Sequence, residues 1–135
     1  MNIQSRLPDV GTSIFTIMSK MALDYGAINL SQGFPDFSID REIVELVNRF
    51  MLEDNNQYAP MPGTPALRGA IANVIKRSFK RTVDPETEIT ITSGATEAIY
   101  AVISAFVWPG DEVIIFDPSY DSYDPVVRLN GGIPI

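Results

Sequence analysis

The chain contains no cysteine and no histidine. The first absence excludes a disulfide framework, a thiolate metal site and a cysteine nucleophile. The second removes the commonest general base, together with any Ser-His or His-metal arrangement. Positive charge is also scarce: 10 Lys and Arg stand against 17 Asp and Glu, for a formal net charge of -7. A protein that grips nucleic acid through its phosphates needs a basic face, so that role is disfavoured. Long hydrophobic runs are missing as well. The first apolar stretch, Ile14 to Leu23, is interrupted by Thr16, Ser19 and Lys20, and none approaches the roughly 18 to 20 apolar residues of a membrane span. Met1 to Asp9 is polar and does not read as a secretory leader. The expectation is a cytoplasmic protein with neither membrane nor nucleic acid as a partner. Its chemistry must come from other side chains or from the reactivity of a cofactor.

What is present is a composition typical of a soluble globular protein. The chain has 135 residues, 45% hydrophobic and 20% charged, about the size of one ordinary domain. No internal repeat or low-complexity tract interrupts it. Thr12 or Ser13 can cap a helix running to about Tyr25, with Gly26 as its stop. A second helix is expected from Asp40 to Leu52, with Ile43, Leu46, Val47 and Phe50 on one face. Thr64 followed by Pro65 signals the start of a third. Its apolar face would be Leu67, Ile71, Val74 and Ile75, and its outward face would carry Arg68, Lys76 and Arg77.

From Glu88 the pattern changes. Glu88 to Thr92 alternates and is β-branched, as a strand would be. A helix opens at about Ala95, with Ala98, Ile99, Val102, Ile103 and Phe106 as its buried stripe, and ends before Pro109-Gly110. Glu112 to Phe116 is a continuous apolar strand of the kind buried in a parallel sheet. A helix from about Ser119 to Asn130 follows, interrupted or started late by Pro125, and Gly131 to Ile135 leads into a third strand. The result is a βαβαβ unit of an α/β fold, preceded by helical and irregular segments. A sheet of so few strands has exposed edges, and apolar surface on it and on the helix from Ala95 would lack a cover. Aggregation or self-association through that surface is expected.

Four segments carry candidate chemistry. Thr92-Ser93-Gly94-Ala95-Thr96-Glu97 joins a predicted strand to a predicted helix, where free N–H groups and the helix dipole can hold a phosphate. Small residues there let the backbone approach the phosphate oxygens. A purely structural turn is an equal reading, since the glycine-rich nucleotide patterns are absent. Asp117-Pro118-Ser119-Tyr120-Asp121-Ser122-Tyr123 follows the next strand, and Tyr120 is placed to stack on a planar ring in the crevice at the strand ends; a tyrosine packed over a loop is the plainer alternative. Ser31 to Phe37 and Gln57 to Gly63 read, taken singly, as turn-rich loops.

Together, these segments resemble the class I/II aminotransferases of the pyridoxal 5′-phosphate (PLP) dependent, fold-type I superfamily. The similarity lies nearest the branch of methionine and kynurenine aminotransferases, and extends from about Leu7 to Ile135. It rests on Asn29-Leu30-Ser31-Gln32-Gly33-Phe34-Pro35-Asp36-Phe37, on Asn56-Gln57-Tyr58-Ala59-Pro60-Met61-Pro62-Gly63 followed by Leu67-Arg68, on Ser93 to Ala98, and on Gly110 to Val113 with Asp117 to Tyr123. The resemblance implies the N-terminal part of an aspartate aminotransferase-like fold. Residues 1–52 would form the N-terminal arm and a small-domain segment, and residues 53–135 the start of the PLP-binding large domain. It further implies that Ala95 and Thr96 donate backbone N–H bonds to the PLP phosphate, that Gly94 allows the turn, and that Tyr120 stacks on the pyridine ring. Gly33 would lend an N–H to the substrate carboxylate. Tyr58 would reach the phosphate of a partner subunit's cofactor, which implies a homodimer.

The same resemblance places four further site residues beyond residue 135. These are an asparagine by the ring oxygen, an aspartate on the pyridine nitrogen, the lysine that binds the cofactor covalently and the arginine that holds the substrate carboxylate. Lys20, Lys76 and Lys80 do not match the lysine motif, so no catalytic residue is expected in this chain, and the chain alone should not transaminate. The implied reaction moves an amino group from an amino acid, such as methionine, glutamine or an aromatic, to a 2-oxo acid. A carbon–sulfur β-lyase of the same superfamily and a non-catalytic remnant are the alternatives. A Rossmann-type nucleotide binder ranks below them, because the first strand–helix turn lacks its glycine pattern.

Overall fold

A computed structural model describes residues 3–33 and 35–135; Met1, and Phe34 of the first signature, lie outside them. The described elements, in chain order, are α1 (Ile14–Asp24), α2 (Arg41–Leu52), α3 (Pro65–Phe79), α4 (Ala95–Phe106), β1 (Glu112–Val113), α5 (Tyr123–Leu129) and β2 (Ile133–Pro134). They fall into two compact units, Phe37–Gly94 and the pair of segments Met1–Asp36 with Ala95–Ile135. No described helix is long and apolar enough to cross a membrane.

Local chemistry sets the helix boundaries. The Ser13 hydroxyl accepts from the Thr16 N–H, the Asp40 carboxylate from the Glu42 N–H and the Thr64 hydroxyl from the Leu67 N–H, each satisfying one donor left over at a helix start. Pro65 fits the first turn of α3, where no N–H is needed. At the end of α1 the N–H of Gly26 bonds the Leu23 carbonyl and that of Ala27 bonds Ala22. This pair of reversed bonds is possible because Gly26 adopts a left-handed φ of 59°.

In the unit Phe37–Gly94 the structure departs from the sequence reading at two places. Glu88 to Thr92 is not a strand. The Glu88 N–H closes a turn onto Asp84 and the Ile91 N–H bonds the Pro62 carbonyl at 3.0 Å, so neither enters a ladder. Arg68, expected on the outer face of α3, is only 3% exposed. The inward stripe of α3 is Arg68, Ile71, Ala72 and Ile75, whereas Leu67 and Val74 are exposed. The aliphatic stem of an arginine packs like a hydrophobe while its head finds acceptors, and here the head reaches backbone carbonyls. α2 forms as expected, but Ile43, Leu46, Val47 and Phe50 stay exposed.

In the other unit, α5 packs on α4 and β2, and β1 and β2 pair in parallel with Glu112 opposite Ile133 and Val113 opposite Pro134. The ladder donors on the second strand are Ile133 and Ile135, so the proline between them sits where no N–H is required. β1 pairs over Glu112–Val113, and one more bond, from the Ile115 N–H to the Ile135 carbonyl, extends the ladder. α5 starts at Tyr123 rather than Ser119, which leaves Pro125 in the first turn, where it costs no helical bond. Val126 and Val127 are buried on its inner face, worth about 1.5–3 kcal/mol apiece. The expected buried stripe of α4 is half open: Ala98, Ile99 and Ile103 are partly covered, while Val102 and Phe106 are exposed. Ile99 and Ile103, with Ile114, Phe116, Tyr123 and Val127, line an apolar hollow of about 450 Å³.

Candidate functional site

The turn into α4 is built from short-range bonds. The Gly94 N–H bonds the Thr92 carbonyl at 2.9 Å, and the Thr92 hydroxyl donates to the Gly94 carbonyl at 2.9 Å. This folds the backbone back on itself and puts Gly94 at φ 87°, a conformation that costs an L-residue but not glycine. A Cβ on Gly94 would meet nothing within 4 Å, so the demand on that position is conformational and not spatial. Ala95 and Thr96 then occupy the first turn of a 12-residue helix, where N–H groups have no carbonyl four residues back and the macrodipole is positive. Both residues are exposed. Glu97 brings a carboxylate into the same turn. A small anion with several acceptor oxygens suits such a site.

Tyr120 follows the cis Asp117–Pro118 peptide. Its ring lies edge-to-face with Tyr123, centroids 5.8 Å apart and planes at 78°, which limits how it can turn. At 44% exposure one side of the ring remains accessible. Tyr120 and Asp121 line a cleft of about 690 Å³ with Gln32 and, from α1 and its cap, Ser13, Phe15, Thr16 and Ser19. The structure thus brings Tyr120 together with the segment that carries Gly33, the neighbour of Gln32. Gly33 itself has open space around its Cα.

The residue holding that segment opens the first signature but was given no role in the sequence reading. Asn29 donates to the Ser19 hydroxyl at 3.0 Å, and its side-chain oxygen accepts from the Ser31 N–H at 3.1 Å and the Ser31 hydroxyl at 2.6 Å. An asparagine two residues ahead of a turn commonly bonds the backbone beyond it, and that was the available signal. Tyr58 is different: it projects from the loop before Gly63 with 102% exposure.

Two carboxylates are tuned by structure. Asp9 is held below its ordinary pKa, chiefly by the Arg128 guanidinium, which bonds both its oxygens at 2.7 and 2.6 Å, and by a backbone N–H. The same pairing raises Arg128 further, and Arg6 bonds the nearby Leu129 carbonyl at 2.7 Å. Asp84 is lowered by the Glu86 N–H and then by the Thr87 hydroxyl.

The family described as aminotransferase class I and II matches residues 25–135 of the chain. The chain belongs to the class I and II aminotransferases. It is 55% identical over 130 residues to the methionine aminotransferase of Escherichia coli K12, an alignment covering 96% of the chain and 34% of that protein. It is 37% identical over 131 residues to mouse kynurenine–oxoglutarate transaminase 3, covering 96% and 29%. A crystal structure of an Escherichia coli protein with methionine aminotransferase function superposes with a TM-score of 0.94 at 52% identity, over 100% of the chain and 35% of that structure. This aminotransferase chain therefore spans about a third of the length of the relatives it matches. Its fold is the N-terminal part of the aspartate aminotransferase-like fold.

Proposed function

We propose that this chain supplies the phosphate and ring-stacking part of the cofactor site in a PLP-dependent aminotransferase, an enzyme that moves an amino group from an amino acid to a 2-oxo acid. The observation that carries the reading is the turn at Ser93–Ala95, where a glycine at φ 87° opens a 12-residue helix in a chain of this family. The residues fit the cofactor: Ala95 and Thr96 offer the first-turn backbone N–H groups of α4 for its phosphate, and Tyr120 offers an accessible ring face for its pyridine.

When bound, PLP supplies an electron sink for the substrate carbon that bears the amino group. The chain's own residues bind and orient. Ala95 and Thr96 donate N–H bonds to the phosphate, and Gly94 keeps the turn in the conformation that presents them. Tyr120 bears on the ring, and the Gly33 N–H meets the substrate carboxylate. Tyr58, fully exposed on its own unit, reaches the partner subunit's cofactor phosphate in a homodimer. The substrates are amino acids of the methionine, glutamine or aromatic kind and their 2-oxo partners, and the enzyme works in the cytoplasm. Residues 1–52 belong to the arm and small domain, and residues 53–135 open the large domain. Two of the chain's lysines are engaged elsewhere: Lys20 pairs with Asp24 and Lys80 caps the end of α3. The 135-residue chain alone binds without turnover.

The test is a titration of the chain with PLP, following the amide signals of Gly94, Ala95 and Thr96, with phosphate-free pyridoxal as control. PLP should shift all three and pyridoxal should not, and Gly94→Ala should weaken binding about tenfold, the cost of forcing an L-residue to positive φ. Binding that ignores the phosphate or the glycine would remove the proposal. Borohydride reduction of the PLP-treated chain should leave no lysine stoichiometrically labelled; one fully labelled lysine would show that the chain holds a complete covalent site.

A further inference from the structure

Arg68 is buried in the unit Phe37–Gly94, and its guanidinium ties together two stretches of chain, at Gly63 and at Pro85–Glu86. Nε donates to the Gly63 carbonyl at 3.2 Å, one terminal nitrogen to the Pro85 carbonyl, and the other to the Glu86 carboxylate at 3.2 Å. The planar fork of arginine is suited to several acceptors at fixed angles, where a lysine would satisfy fewer. The Glu86 carboxylate is exposed, so that ion pair itself contributes little. The bonds to buried carbonyls matter more, since an acceptor deprived of its donor there pays its full desolvation cost.

The contacts continue beyond Arg68. Gly63, at φ 97°, lies so close to Ile91 that a Cβ on the glycine would stand 2.2 Å from Ile91 Cγ1. The Pro62 carbonyl accepts the Ile91 N–H at 3.0 Å. One residue on, Thr92 makes the two bonds that shape the Gly94 turn. An unbroken series of hydrogen bonds and close packing therefore runs from Arg68 through Pro62–Gly63 and Ile91 to Thr92 and Gly94. The loop so clamped is also the one that carries Tyr58.

We infer that Arg68 is a positioning residue for the cofactor phosphate: it fixes the Pro60–Gly63 loop against Ile91 and so holds the Thr92–Gly94 turn in its phosphate-binding shape. This rests on the phosphate reading of that turn. A side chain remote from the ligand can act this way because misplacing a binding element by about 1 Å can cost on the order of a hundredfold.

The experiment compares the full chain with its Arg68→Lys and Arg68→Met variants in two measurements, PLP affinity and amide hydrogen exchange at Ile91 and Gly94, with the Gly132 amide of the other unit as reference. Exchange at Ile91 and Gly94 should accelerate about tenfold or more in R68M and less in R68K. PLP affinity should fall in the same order, while Gly132 is unchanged. Should R68M fail to fold, Glu86→Gln keeps both carbonyl contacts and should produce the same pattern at smaller size, a few-fold at Ile91. Unchanged Ile91 exchange in the variants would overturn the clamp. Faster exchange with unaltered PLP affinity would make Arg68 structural only and overturn the positioning role. A wild-type chain that does not bind PLP would remove the phosphate reading itself, and the positioning role with it, while the exchange data still judge the clamp.

Discussion

Val127 and Arg68 are both nearly inaccessible, at 1% and 3% exposure, yet they organise their units by opposite means. Val127 sits in an apolar nucleus with Val126, against the underside of Gly132, held by burial that has no preferred direction. Arg68 gathers carbonyls at set distances and angles. The first unit should therefore tolerate small changes of shape so long as volume is kept, whereas the second should fail whenever an acceptor loses its donor. An apolar nucleus gives cohesion; a buried guanidinium gives register.

The sharpest way to break this contrast is Val127→Asp. An unpaired carboxylate in that nucleus should cost about 3–5 kcal/mol, seen as lost exchange protection at Gly132 and Asn130 with Ile91 still protected. Gly63→Ala comes next. It combines a 2.2 Å approach to Ile91 with positive φ, and about 3 kcal/mol or more is expected from overpacking plus backbone strain. Urea unfolding followed through residues of Phe37–Gly94 would measure it.

Gly132→Ala makes the matching test on the apolar side. The new methyl would lie 2.7 Å from a Val107 methyl and 2.9 Å from a Val127 methyl. The approach is looser than at Gly63 and no left-handed φ adds to it, so the cost should be about 1–2 kcal/mol. A larger effect than that of G63A would reverse the contrast drawn above.

The smallest effects concern acid. Asp9 and Asp84 both have folded pKa values below the ordinary 3.8. Each therefore contributes stability that is complete above that value and is lost as the pH falls through the lower, folded one. The two should separate by salt. Asp9 depends mainly on the half-exposed Arg128 guanidinium, which salt screens, and Asp84 mainly on a backbone N–H and a hydroxyl. Added salt should thus weaken the fastening of the N-terminal segment to α5 while leaving the Asp84 turn unaltered, as exchange at Glu86 near pH 4 would show.

Much of the fold was legible because its signals are local. The cap at Thr12 or Ser13, the cap at Thr64, the stop at Gly26 and the late start of α5 signalled by Pro125 each depend on residues within one turn. Glu88–Thr92 was misread because β-branched alternation records a preference for extended backbone, while a strand exists only where another segment accepts its bonds; here Pro62 takes the Ile91 N–H. Arg68 was misread because its type outweighed its spacing, although 68, 71, 72 and 75 trace a single helical stripe. At the site, the turn into α4 was visible as a glycine between strand-like and helix-like sequence. The attachment of Asn29 to Ser19 was not, since it depends on how α1 and the following segment meet.

The reach of the stabilising bonds bears on the order in which the polypeptide acquires structure as it is made. The Arg68 contacts close loops of no more than 18 residues, whereas Arg6 meets Leu129 across 123 and Asp9 meets Arg128 across 119. The longer closure costs about 2 kcal/mol more chain entropy. It must also wait for Arg128 and Leu129, made roughly two to seven seconds after Gly94 at about 5–20 residues per second. In a growing chain, Phe37–Gly94 can therefore settle before Arg6 and Asp9 find their partners.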